Sequence, residues 1–133
     1  MKLRRVVVTG IGAITPIGNS AVETWEGIKN KKCGIDEITL CDTSKLKTRL
    51  AAEIKDFDFL AHFDAKQMKR LDRCSLLAIA GAREAFKDSG ITEENTDFER
   101  VGIFISTGIG GLKTIEEQCG INTTKGANRI SPM

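Results

Sequence analysis

The sequence predicts an α/β fold, and three observations carry that prediction. Two apolar runs, 5–9 and 101–106, are β-branched or aromatic, and each gives way to a glycine-rich loop. Helical spacing of apolar residues appears between and after them, most clearly beyond Asp72. The order strand, glycine loop, helix, then helix, strand, glycine loop is the grammar of buried parallel strands covered by helices.

The elements follow in order. Residues 5–9 read as a buried strand, and Pro16 with Gly10, Gly12 and Gly18 makes 10–18 a loop. Asn19 or Ser20 caps a helix that carries Val22, Trp25 and Ile28 at helical spacing, with Lys29, Lys31 and Lys32 near its C-terminal end. Gly34 closes that connection. Residues 48–54 suggest a short strand, although Ala and Glu there also tolerate a helix, and 64–73 read as a short polar helix. The clearest helix opens at Asp72 and runs to about Asp88, before Ser89-Gly90. Its interior, 75–86, is small on nearly every side, which marks a buried helix. A charged surface connection, 93–100, leads to the second strand, 101–106, and the loop 107–111. A short amphipathic helix follows, with Leu112, Ile115 and Cys119 on one side. Two strands are few for a covered parallel sheet, and the tail 122–133 shows neither helix nor strand, so residues 1–133 read as part of a larger domain.

Composition narrows the function. The chain has 133 residues, 41% of them hydrophobic and 29% charged, enough apolar side chain for a core. Lys and Arg total 20 against 18 Asp and Glu, a balance that argues against a nucleic-acid binder. Six Phe, one Trp and no Tyr leave little for stacking on single strands. No apolar run approaches the ~18–20 residues of a membrane span. Lys2, Arg4 and Arg5 precede a mildly apolar stretch, but no cleavage pattern follows, so the start reads as mature structure. A reduced, cytoplasmic protein is the expectation.

The candidate chemical residues are sparse. Cys33, Cys41, Cys74 and Cys119 form no short pair, and His62 is the single histidine, so neither a metal nor a cofactor is expected. Cys74 stands near the start of the long helix, where the dipole favours thiolate, but a small hydrophobe at a helix contact is the simpler reading. His62 reads as a surface or capping residue. Neither glycine loop completes a G-x-G-x-x-G fingerprint: the third position is Thr15 in the first and Lys113 in the second. Lys66, Lys69, Arg70 and Arg73 recur at i, i+3, i+4 and i+7, on one face of the expected helix. Charge alone favours a solvated face there, while a phosphate- or carboxylate-bearing partner would relieve the mutual repulsion.

Several segments together resemble the N-terminus of the β-ketoacyl-acyl carrier protein synthases, in the elongating type II form of bacterial fatty acid synthesis. They are the opening 4–19, Trp25, Gly34-Ile35, the Phe57 region, Lys69-Arg-Leu-Asp72 with the small-residue helix, 102–111, and Arg129-Ile-Ser-Pro132. The resemblance spans essentially the whole chain and implies a thiolase-like fold of two similar α/β halves. Residues 1–133 would then be the N-terminal portion of the first half, within the synthase N-terminal domain. It also implies a homodimer, and a partner: acyl carrier protein bearing acyl or malonyl groups on phosphopantetheine. The implied reaction is a decarboxylating Claisen condensation through a cysteine and two histidines. None of the four cysteines matches that nucleophile's motif, and His62 matches neither histidine. By the same resemblance Lys66, Lys69 and Arg70 dock the carrier, Ile109 gates the acyl pocket, and Arg73 is not spoken to. Three further readings stand beside it: a non-catalytic partner like a chain-length factor, a carrier-binding fragment and, least expected, a nucleotide-binding domain.

Overall fold

The computed structural model describes residues 3–131. Its elements are α1 (Ala21–Lys29), β1 (Ile35–Glu37), β2 (Leu50–Ala52), α2 (Ala65–Arg70), α3 (Arg73–Ser89) and α4 (Leu112–Lys125), with three short 3-10 turns. They fall into two compact units. One runs to Phe57 and takes in Ala80–Arg100; the other comprises Asp58–Ile79 and resumes at Val101.

In the first unit, the N-terminal glycine loop rests on α3. Gly12 lies so close to the Gly81 carbonyl and the Ala85 amide that a Cβ there would collide with backbone. Carboxylates from α3 secure the same loop: Glu84 accepts from the Ala13 amide at 2.9 Å and Asp88 from the Ile11 amide at 2.9 Å. Glu84 also accepts from the Ala21 amide at 2.8 Å, so one side chain holds the loop and the first turn of α1. Ser20, of the two expected candidates, caps α1 by accepting from the Glu23 amide. Beyond the helix and its cap Asn30, Lys31 turns the chain in the left-handed region (φ 54°), three residues before the glycine expected to close the connection. β1 and β2 pair antiparallel, Ile35 opposite Ala52 and Glu37 opposite Leu50, so the strand expected within 48–54 forms. Beyond them Glu53, buried, accepts from the Thr39 hydroxyl at 2.8 Å and from the Thr39 and Leu40 amides. The Thr39 hydroxyl is the main cause that holds the Glu53 carboxyl below its ordinary range.

In the second unit, Phe63 and Leu76 are the buried apolar side chains among the described residues. Asp58 caps the turn Phe59–Ala61, and the His62 amide closes it on the Phe59 carbonyl at 3.1 Å, so His62 is an exposed capping position. The helix expected over 64–73 stops at Arg70, because Leu71 turns to extended backbone (ψ 137°). α4 runs 14 residues, longer than the short helix anticipated, and ends at Gly126 with φ 85°. It reaches into the tail that had read as structureless, and the turn Ala127–Arg129 follows. Pro132, the end of the last matching segment, lies outside the described residues.

Two expectations are corrected. Residues 5–9 and 101–106 form no strand, and the only ladder among the described residues is antiparallel. Val6 is 92% exposed and Phe104 97%. A β-branched run becomes a strand only when a neighbour takes up its amides and carbonyls, and no described segment pairs with either run. The long helix is also less buried than its composition suggested. Leu76 and Ala80 are buried, whereas Phe86, Lys87 and Asp88 are exposed.

Candidate functional site

The first turn of α2 is set by a reciprocal cap. Asp64 accepts from the amides of Lys66 and Gln67, both at 2.8 Å, and Gln67 Oε1 accepts from the Asp64 amide at 3.1 Å. The helix so started carries Lys66, Lys69 and Arg70 exposed, and none of them forms an ion pair among the described residues. With Ala65 they line one depression of about 290 Å³. Lys69 and Arg70 also border a cleft of about 430 Å³ whose other residues include Gly111, Thr114, Gln118 and Ser131.

Arg73 does not belong to this stripe. Leu71 ends α2, Arg73 opens α3, and its guanidinium stacks 4.9 Å over the Phe59 ring. The spacing that placed four cations on one face assumed a continuous helix. Asp72 interrupts it by capturing the Cys74 amide (3.0 Å) and starting a new one.

Ile109 is exposed in the loop before α4. That loop is closed on itself, with the Thr107 hydroxyl accepting from the Gly110 amide at 3.1 Å, and Gly110 adopts φ 81°. Gly111 then lies against Asp72: a Cβ at Gly111 would stand 2.7 Å from Asp72 Oδ2. The same oxygen accepts from the Thr114 hydroxyl at 2.5 Å. That bond foremost, and the Cys74 amide next, hold the Asp72 carboxyl below its ordinary range. Sequence spacing could not have tied Asp72 to Thr114, 42 positions away.

The remaining candidates are placed as follows. In the first glycine loop, the Ile11 and Ala13 amides that could face a phosphate are taken by Asp88 and Glu84. Cys74 is half-buried on the first turn of α3, its Sγ 4.0 Å from Ser75 Oγ, while Cys33, Cys41 and Cys119 are exposed. Among the described residues no three His, Cys, Asp or Glu side chains are arranged to hold a metal ion. No helix among them is long and apolar enough to cross a membrane.

Comparison with known proteins adds the following. The chain is 41% identical over 132 residues to 3-oxoacyl-[acyl-carrier-protein] synthase 2 of Synechocystis sp., covering 99% of this chain and 32% of that protein. It is 42% identical over 129 residues to the protein of that name from Staphylococcus aureus strain N315, covering 97% and 31%. The Coxiella burnetii protein of that name is 39% identical, covering 99% and 32%. The chain thus spans about a third of the length of these relatives. Among solved structures, the ishigamide ketosynthase/chain length factor superimposes with TM-score 0.73 at 27% identity, over 97% of this chain and 32% of that one. A type II polyketide synthase acyl-carrier protein in complex with its ketosynthase bound to the hexaketide matches with TM-score 0.73 and 27% identity, over 95% and 33%. The fold is therefore the α/β, thiolase-like one, of which this chain holds the N-terminal part of the first half. A family model described as the beta-ketoacyl synthase N-terminal domain matches residues 3–133, and the chain belongs to that family.

Proposed function

We propose that residues 1–133 are the N-terminal portion of the synthase N-terminal domain of a 3-oxoacyl-acyl carrier protein synthase, an acyltransferase of fatty acid elongation. In that reaction an acyl group passes from the carrier's phosphopantetheine thiol to an enzyme cysteine. Malonyl-carrier loses CO2, and the resulting carbanion attacks the acyl thioester and releases the cysteine thiolate. We assign Lys66, Lys69 and Arg70 to docking the carrier and Ile109 to gating the acyl pocket; no residue of this chain is assigned to the bond-making steps. The whole enzyme is proposed to be a cytoplasmic homodimer with no resident cofactor.

The observation that supports docking most directly is the set of three exposed cations on α2, without an ion pair among the described residues and lining one depression. Unpaired like charges gain when an acidic surface meets them, which raises encounter rate and fixes orientation. The test is carrier binding by the full-length enzyme. Lys69→Glu with Arg70→Glu should weaken binding of acyl carrier protein at least ~10-fold, and the wild-type affinity should fall as salt rises. Unchanged binding in the double variant would remove the docking assignment. The curated relatives above carry the name of the synthase, which favours the enzyme over the chain-length-factor reading. A nucleophilic cysteine in the whole protein would decide between them.

A further inference from the structure

An α-helix leaves its first amides without intrahelical partners, and the N-cap of α4 is Gly111, which has no side chain to offer them. The nearest carboxylate comes from elsewhere in the unit. Asp72 Oδ1 accepts from the Cys74 amide in the first turn of α3, and Asp72 Oδ2 accepts from the Thr114 hydroxyl in the first turn of α4. Gly111 lacks the Cβ that would displace that carboxylate. The neighbouring bonds of the loop are local: Gly110 amide to Thr107 hydroxyl, Leu112 amide to Gly110 carbonyl, Ile115 amide to Gly111 carbonyl. Around Gly108 there is open space. The carboxylate of Asp72 therefore ties the root of this loop to the helix before it. Asp72 also directly follows Leu71, whose amide closes α2 on the Gln67 carbonyl.

We propose that Asp72 is a positioning residue for the Ile109 loop, holding Gly111 and thereby setting where the Ile109 side chain stands. The consequence for acyl selection rests on the reading of Ile109 as a gate; the positioning itself does not. Since Asp72 lies between the last turn of α2 and the first of α3, the residue that fixes the loop is continuous with the one that presents Lys69 and Arg70.

Two readouts in the full-length enzyme separate the claims. One is hydrogen exchange at the amides of residues 109–112; the other is the ratio of kcat/KM for a long against a short acyl-carrier substrate. The variants are Asp72→Asn, Thr114→Val, Thr114→Ser and Ile109→Ala. Thr114→Val removes the α4 side of the clamp and leaves α3 capped, so it answers even if Asp72→Asn folds poorly. Loss of a bond to a charged acceptor should raise exchange at 109–112 about 10-fold in Asp72→Asn and Thr114→Val, with Thr114→Ser restoring the wild-type rate. The selectivity ratio should shift in the same two variants, and in Ile109→Ala. Faster exchange with a selectivity indifferent to Ile109→Ala would support the positioning role and remove the gate. Unchanged exchange in Thr114→Val would overturn the proposal, whatever Ile109→Ala does.

Discussion

At the scale of single residues, close backbone approach and shared carboxylates decide what can change. Gly12→Ala would drive a Cβ into the Gly81 carbonyl of α3, backbone against backbone. It should lower stability by about 1–3 kcal/mol or more, read from urea unfolding. Gly108→Ala meets open space and should change stability by less than about 0.5 kcal/mol, which makes it the control. Glu53 offers a pH prediction. Its carboxyl lies below the ordinary range in the folded protein, chiefly through the Thr39 hydroxyl, so the folded state binds that proton less readily than the unfolded chain. The stability it contributes is present above an ordinary glutamate's value, about 4.3, and is lost as pH falls through the folded one. Asp72 acts with the same sign, through Thr114 and Cys74. Glu53→Gln should therefore flatten the acid limb of an unfolding-against-pH curve, and a limb of unchanged slope would remove Glu53 as a contributor.

Elements are where sequence reading succeeded and failed for distinct physical reasons. α1, the 48–54 strand and the long helix are local: caps, β-branched residues and helical spacing lie within a few positions of what they determine. The new helix at Asp72 was legible as well; what spacing missed is that α2 ends at Arg70, so that Arg73 belongs to α3. Basic residues at helical intervals look the same whether or not Asp72 starts a second helix between them. The partners of Glu84 were invisible, since its carboxylate reaches Ala13 and Ala21, more than sixty positions away. Glu84→Ala would leave two amides without that acceptor and should cost about 1–3 kcal/mol. Loosening should concentrate at the 10–13 loop and the start of α1, where amide exchange would report it. Of the proposed site, the three cations of α2 were legible as a charge pattern. Ile109 was legible only through resemblance, and the Asp72–Thr114 link not at all.

For the molecule as a whole, the two runs that read as central strands carry the most consequence. Their composition is that of a sheet interior, while in this third of the relatives' length Val6, Val8, Ile103 and Phe104 stand open to solvent. The 133-residue chain by itself should therefore bind a hydrophobic dye and self-associate, read by sedimentation at increasing concentration. A monodisperse monomer that ignores the dye would show that these runs find cover within the chain. The same open ribbons set a timetable for synthesis. At ~5–20 residues per second, the remaining two thirds of a relative's length takes on the order of tens of seconds to leave the ribosome. Through that interval the nascent segment shows valine- and isoleucine-rich stretches ready to pair with the wrong strand. For a protein of the relatives' length, cover for these runs would wait on the arrival of later segments or on a chaperone that shields them meanwhile.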